Sequence, residues 1–365
     1  MGKKTPKKNQ KKDLKKKTKK IKPAELQIFG LETAKQDAQL VLIPVPWEVT
    51  ASYGSGTSSG PELIFEASSQ VDLYDIEVKN AYECGYYMLP VPQKMKKQNI
   101  ALRKEALKVN KTLQNLQKLN TAQTKIQNKI NKANDEMIEY VYTNTKEILK
   151  SGKAFGIIGG DHSVPYGAIK ALSEHTNGNF GILHIDAHLD LRDAYLGYQH
   201  SHASIMNNVA KLPLAPKKII QFGIRDFCED EVNFMKDHSG KFLTYYDLPT
   251  KQQLLNGTSW LKICKEAISQ LPDQIYISFD IDGMDPTLCP NTGTPVPGGL
   301  SYEQTLALFS TIHEMGKKIV GFDLVEVSGG TDDSNPNYEW NGNVGARMLY
   351  KLCGWAMVTQ GRYSV

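Results

Sequence analysis

Six short apolar runs punctuate the chain: Leu40 to Trp47 (LVLIPVPW), Ala154 to Ile158 (AFGII), Phe180 to Ile185 (FGILHI), Lys218 to Ile224 (KIIQFGI), Gln274 to Phe279 (QIYISF) and Lys318 to Val325 (KIVGFDLV). Each is apolar at successive positions, so a strand built from it meets a core on both faces, and segments of helix length separate the runs. This pattern predicts an α/β protein in which helices cover both faces of a parallel sheet. Gly60-Pro61-Glu62 marks a helix start, with Pro61 at the first helical position. Between residues 96 and 150 the chain turns rich in Lys, Asn, Gln and Leu, and apolar residues recur near helical spacing at Leu102, Leu107, Leu113, Leu116, Leu119, Ile126 and Ile130. One or two long amphipathic helices are expected there. No internal repeat and no linker between halves is evident, so residues 25–365 read as one domain with a helical segment near 96–135.

Charge changes the picture at one end only. The chain of 365 residues is 40% hydrophobic and 23% charged, which excludes disorder throughout. Its formal charge of +5 is the balance of +11 in residues 1–24, with twelve lysines and one acid, and −6 in the remainder. Residues 1–24 are expected to form a disordered, Lys-rich arm outside the fold. No aromatic residues interleave with its lysines to stack on bases, so it reads as a solubilising extension in preference to a contact for nucleic acid or an anionic surface. No run reaches the roughly 18 apolar residues of a membrane span, and the N-terminus lacks the apolar core of a secretory signal. A soluble, cytoplasmic protein is expected. The five cysteines (Cys84, Cys228, Cys264, Cys289, Cys353) are odd in number and widely spaced, as free thiols in a reducing compartment would be.

Candidate chemistry gathers at three predicted strand ends: Gly159-Gly160-Asp161-His162-Ser163, then His184-Ile185-Asp186-Ala187-His188-Leu189-Asp190, then Phe279-Asp280-Ile281-Asp282-Gly283-Met284-Asp285-Pro286. Loops at the carboxyl ends of parallel strands converge on one crevice, which brings His162, Asp186, His188, Asp190, Asp280 and Asp282 within reach of each other. D-x-H-x-D and D-x-D direct every second side chain to one side of an extended segment. Four carboxylates crowded there would repel and take up protons unless cations offset them. Four carboxylates and two imidazoles exceed the needs of one tetrahedral zinc and suit two Mn²⁺-type ions with bridging carboxylates and a bridging hydroxide. Ni²⁺, Co²⁺ or Fe²⁺ would bind the same atoms. An EF-hand reading of Asp280 to Asp285 fails, because Gly283 falls at position 4 where the loop requires glycine at 6. His184 is set outside the ion shell as a satisfied core histidine.

These motifs, followed by TGTPVPGGLS (Thr292 to Ser301) and GFDLVEV (Gly321 to Val327), resemble the signature of the ureohydrolases, the family of arginases, agmatinases, guanidinobutyrases and formimidoylglutamases. The likeness runs from about Leu40 to Gly354 and includes SYGSGTSSGP (Ser52 to Pro61); the segment near 96–135 is a variable region within it. The resemblance implies a three-layer α/β/α fold, two manganese ions, and hydrolysis of a guanidino carbon to urea and an amine. By motif position His162, Asp186, Asp190 and Asp280 would hold one ion, and His188, Asp186, Asp280 and Asp282 the other. Asp190 would also orient the attacking hydroxide. Glu326 matches the glutamate that pairs with the guanidinium, and His202 the proton-shuttle histidine, with His200 as the other candidate for that role or as a residue of the rim. SYGSGTSSGP resembles the family's early substrate-side loop, and Thr294 is expected to bind substrate, with Glu326, Arg192 and His200. A homotrimer or homohexamer is implied as well.

Leu191-Arg192 follows Asp190 where arginases carry, two positions on, an Asn that helps hold the amino-acid end of arginine, and the Glu-Val-Ser run at 326–328 and the His-Ala pair at 202 resemble the agmatinase branch more than the arginase branch. Agmatine is therefore the expected substrate. Arg192 pointing inward would favour a carboxylated substrate such as guanidinobutyrate, guanidinopropionate or formiminoglutamate; stacked on Tyr195 or Tyr198, it would favour free guanidine. A metal-binding scaffold whose arm docks it to nucleic acid or membrane is the non-enzymatic alternative.

Overall fold

In the computed structural model, which describes residues 26–330 and 337–363, the six apolar runs all form strands. They are β1 (Leu40–Val45), β3 (Ala154–Gly159), β4 (Gly181–Ile185), β5 (Lys218–Ile224), β7 (Gln274–Asp280) and β8 (Lys318–Val325). Two strands that the apolar pattern does not reveal, β2 (Tyr86–Met88) and β6 (Phe242–Tyr246), complete an eight-stranded sheet in the order β2-β1-β3-β8-β7-β4-β5-β6, and every pairing in it is parallel. Both are edge strands: β2 is only three residues long, and every residue of β6 is half-buried. The lysine arm of residues 1–24 lies outside the described residues.

Ten helices follow as α1 (Gly60–Ser68), α2 (Gln93–Gln114), α3 (Thr121–Lys150), α4 (Tyr166–Thr176), α5 (Ile205–Ala210), α6 (Glu229–Asp237), α7 (Asp247–Leu255), α8 (Trp260–Ser269), α9 (Tyr302–Glu314) and α10 (Asn337–Thr359). Alternate residues of one strand enter different cores: Leu40 and Leu42 pack with α1, α8, α9 and α10, whereas Val41, Ile43 and Val45 pack with α2 to α5. That alternation is the period-two geometry of an extended chain, and it makes the sheet the middle of three layers.

The segment near 96–135 is a helical hairpin of α2 and α3, and its buried stripe differs from the apolar spacing. Leu102 and Ile130 are buried, but Leu107 and Leu116 face solvent. The buried face of α2 instead includes three polar residues, Asn99, Arg103 and Asn110. No helix among the described residues is long and apolar enough to cross a membrane.

Topology places the site. From β3 the chain crosses over two strand positions to β4 and later returns to fill them with β7 and β8. The carboxyl ends of β3, β8, β7 and β4 are therefore neighbours at the middle of the sheet, where such a reversal opens a crevice. Close approach of the backbone there explains two motif glycines. A Cβ on Gly160 would lie 1.9 Å from the Trp47 carbonyl oxygen, and one on Gly283 would lie 2.5 Å from the Asp186 amide nitrogen. Backbone atoms cannot swing aside as a side-chain end does, so Gly160→Ala should destabilise the fold by about 3 kcal/mol. A urea-denaturation midpoint indistinguishable from that of the parent protein would contradict this reading.

Candidate metal centre

His162 follows β3, and the directions of its two ring nitrogens define the site. Nε2 lies 3.0 Å from the Ser278 hydroxyl of β7. Nδ1 faces carboxylates: Asp186 Oδ2 at 2.9 Å, Asp190 Oδ2 at 3.0 Å and Asp280 Oδ2 at 3.4 Å. The loop after β4 supplies Asp186, His188 and Asp190. His188 Nδ1 lies 3.3 Å from Asp186 Oδ1 and 3.2 Å from Asp282 Oδ2. Two groups of possible ion ligands result, His162, His184, Asp186 and Asp190 in one and Asp186, His188 and Asp282 in the other, so Asp186 belongs to both. Asp280 stands beside the first group, and its Oδ1 accepts the Asp282 amide at 2.9 Å.

Burial and mutual repulsion set the electrostatics. Burial, followed by the charge of Asp186, pushes Asp190 up to about 6, and burial with the charges of Asp282 and Asp186 raises Asp280 well above the usual carboxylate range. Burial also tends to raise Asp186, but hydrogen bonds from His162, His184 and His188 hold it well below its ordinary value. The surrounding carboxylates raise His162 and His188 against the opposing effect of burial. Asp190 Oδ2 is buried and, although 3.0 Å from His162 Nδ1, which is directed to Asp186, has no well-aligned hydrogen bond of its own. A buried acceptor of this kind among crowded aspartates fits a cation, since leaving it unpaired is costly. Mixed carboxylate and imidazole donors suit first-row divalent ions.

His184 belongs to this network, although the reasoning from sequence set it aside. Gln221 fixes its tautomer: the Gln221 side-chain nitrogen donates to the Leu189 carbonyl at 3.1 Å and lies 3.0 Å from His184 Nδ1, while Thr244 donates its hydroxyl to Gln221 Oε1 at 2.9 Å. His184 Nδ1 is therefore an acceptor, and Nε2–H donates to Asp186 Oδ2 at 2.9 Å. The ring orients a carboxylate, as partners of metal ligands commonly do. Its spacing carried the signal, because positions 184 and 186 share one face of an extended chain.

Glu326 follows β8. Its Oε1 accepts the His162 amide at 3.0 Å, and burial together with the charges of Asp280, Asp161 and Asp282 raises it well above the usual range. Asp190 and Glu326 both have left-handed backbone, at φ 55° and 61°. Non-glycine residues rarely hold that conformation, and such strain concentrates at functional sites.

A cavity of about 180 Å³ joins these groups, lined among others by His162, His188, Asp190, Asp280 and Glu326. His202 reaches it, with its backbone amide donating to Thr50 Oγ1 and Nε2 3.2 Å from the Ser52 hydroxyl; burial, followed by the positive charges nearby, pushes its imidazole down to about 3. His200 is not brought there. Its ring packs 4.7 Å from that of Tyr166, outside the cavity lining. Thr294 does line the cavity and donates to Asp282 Oδ2 at 3.2 Å. Arg192 lies over the Tyr195 ring at 4.7 Å, with Nε 3.7 Å from the buried Glu231 carboxylate. Ser52, of the SYGSGTSSGP motif, and Tyr195 also line the cavity, together with Asp226 and, on α6, Glu231, which no pattern in the sequence marked.

The raised Asp190 has a consequence for stability. Its ionised form is disfavoured in the ion-free fold, a penalty fully present above about pH 6 and absent below the ordinary carboxylate value near 3.8. In chelator, Asp190→Asn should therefore melt above the parent protein at pH 7.5, and the difference should close near pH 4. With divalent ions supplied, the parent should melt higher. A variant that melts below the parent in chelator at pH 7.5 would contradict the electrostatic reading.

The described residues match what comparison with known proteins finds. The profile of the Arginase family matches residues 38–354. The N(1)-aminopropylagmatine ureohydrolase of Synechocystis sp. is 28% identical over 328 residues, which span 88% of this chain and 90% of that protein. The agmatinase of Pyrococcus horikoshii is 27% identical over 80% of this chain and 85% of its own. The agmatine ureohydrolase structure of Thermoplasma volcanium superposes with a TM-score of 0.68 at 21% identity, covering 91% of this chain and 94% of that one, which supports the fold. With the family profile spanning most of the sequence and the crevice of its fold lined by buried aspartates and histidines, this chain belongs to the arginase family of ureohydrolases.

Proposed function

We propose that this enzyme binds two divalent ions, Mn²⁺ by preference, and hydrolyses the guanidino group of a small cationic substrate of the agmatine type, releasing urea and an amine. His162, Asp186, Asp190 and Asp280 would hold one ion, and Asp186, His188, Asp280 and Asp282 the other. Such ions supply a nucleophile from water at neutral pH.

The chain's own residues do the rest. Glu326, with Oε1 fixed by the His162 amide, presents its second oxygen to a guanidinium and holds its plane toward the aspartates. Asp190 Oδ2 accepts a hydrogen bond that orients the attacking oxygen. As the C–N bond breaks, a proton must reach the departing nitrogen, and His202, a neutral imidazole at the cavity wall with Nε2 3.2 Å from the Ser52 hydroxyl, is the residue placed to relay it. Water and guanidinium thereby become urea and a protonated amine.

The observation that carries the choice of substrate is the division of charge at the mouth. Arg192 is stacked on Tyr195 and paired with Glu231, whereas the Asp226 side chain, 69% exposed, has among the described residues only His188 within ion-pair distance, at 4.0 Å. An open carboxylate favours a cationic far end over a carboxylated one. The relatives named as agmatinase and N(1)-aminopropylagmatine ureohydrolase support the same reading. Free guanidine is the second reading, favoured by the stacking of Arg192 on Tyr195.

Urea release from agmatine, N1-aminopropylagmatine, guanidine, arginine and guanidinobutyrate separates these readings. Agmatine or its aminopropyl derivative should turn over fastest with Mn²⁺, and activity should disappear in EDTA. Turnover of guanidine alone would transfer the assignment to the second reading, and no urea from any of them with ions bound would refute the enzyme. Asp226→Asn should raise KM for agmatine about threefold, the worth of an exposed ion pair, and leave that for guanidine unchanged. Equal effects on both would refute the role of Asp226.

A further inference from the structure

Arg103, on the buried face of α2, is a cation without a carboxylate partner. It is 6% exposed, and among the described residues no acidic side chain lies within ion-pair distance of it. Its guanidinium is spent instead on one loop. Nη1 donates to the carbonyls of Ala51 and, at 3.5 Å, Val49; Nη2 donates to the Gly54 carbonyl at 3.0 Å and the Ser55 hydroxyl at 3.2 Å. Its neighbours on the helix act on the same loop, since Asn99 Oδ1 accepts the Glu48 amide at 2.8 Å and Gln114 donates to the Ser52 carbonyl at 3.1 Å. Positions 99, 103, 110 and 114 follow helical spacing, so these polar side chains share one face of α2, with Ala106 between them.

That loop carries the two hydroxyls that hold His202: Thr50 Oγ1 accepts the His202 amide at 3.2 Å, and Ser52 Oγ lies 3.2 Å from His202 Nε2. We propose that Arg103 is a positioning residue, whose buried guanidinium clamps residues 49–55 so that Thr50 and Ser52 hold His202 against the cavity. The planar fork of arginine suits several carbonyls of one turn, which a lysine ammonium on a flexible stem cannot match. The clamp itself stands on geometry, and its catalytic consequence rests on the ureohydrolase reading with His202 carrying the proton.

The test compares the parent chain with Arg103→Met, which keeps the apolar stem, and Arg103→Lys, which keeps the charge. Amide hydrogen exchange of residues 49–57 should quicken by about tenfold or more in Arg103→Met and by less in Arg103→Lys, with exchange in β3, β4 and β7 unchanged. Ion stoichiometry should not change. With agmatine, kcat should fall about tenfold in Arg103→Met, the scale of a small misplacement. In a His202→Ala background the same substitution should cost little more, because the two changes act through one contact. Unchanged exchange at 49–57 in both variants overturns the clamp. Losses that multiply independently with His202→Ala overturn its action through His202. If Arg103→Met does not fold, Arg103→Lys decides by the same exchange readout. Exchange requires no turnover, so quickened exchange in a chain that releases no urea upholds the clamp and refutes the ureohydrolase reading alone.

Discussion

Repulsion among buried aspartates is the constraint around which this structure is arranged. Asp186, Asp190, Asp280 and Asp282 are nearly inaccessible to solvent and share two strand ends, and burial and mutual charge raise Asp190 and Asp280. An apolar sheet would not hold such a group together by itself. The fold does so with donors placed on every side: the Ala187 amide on Asp282, the His188 amide and the His184 ring on Asp186, and the Asp282 amide on Asp280. Each donor stabilises a charged oxygen in its position, and Asp190 Oδ2 is left over. Cations bound there would complete what backbone and imidazole donors leave unfinished.

From that constraint follows much of the local sequence. Gly160 and Gly283 have no side chains because neighbouring backbone passes within reach of a Cβ. Asp190 and Glu326 carry left-handed backbone because the chain must turn sharply while keeping an acid pointed into the crevice. The placing of Gln221 on β5 and Thr244 on β6 has the same origin, since they fix the tautomer of His184 and through it the orientation of Asp186.

Most of the sheet was legible in the sequence because its central strands are apolar on both faces, and a run of that kind has few alternatives. The edges were not: Tyr86–Met88 is too short to register as a run, and Phe242–Tyr246 is half-buried along its length. Reading α2 by its leucines misplaced its buried face, because a helix can bury Asn99, Arg103 and Asn110 where a loop offers them carbonyls and amides, and leave Leu107 exposed. The aspartates and histidines were legible because they cluster at three strand ends, although Asp282 lies in a tight turn and Asp190 in left-handed backbone, outside the extended geometry that D-x-D and D-x-H-x-D suggest. His184 shared that geometry and was discounted as a lone histidine. The places of Asp226 and, on α6, Glu231 depend on tertiary packing that no local pattern encodes, and so does the exclusion of His200 from the cavity.

The central claim is that these carboxylates exist to hold two cations, and calorimetric titration of chelator-stripped protein with Mn²⁺ tests it most directly. The expected result is two ions bound per chain, with a heat that varies with the ionisation enthalpy of the buffer because bound protons leave the aspartates and histidines as the ions enter. Saturation at one ion or none, or binding without proton release, would contradict it.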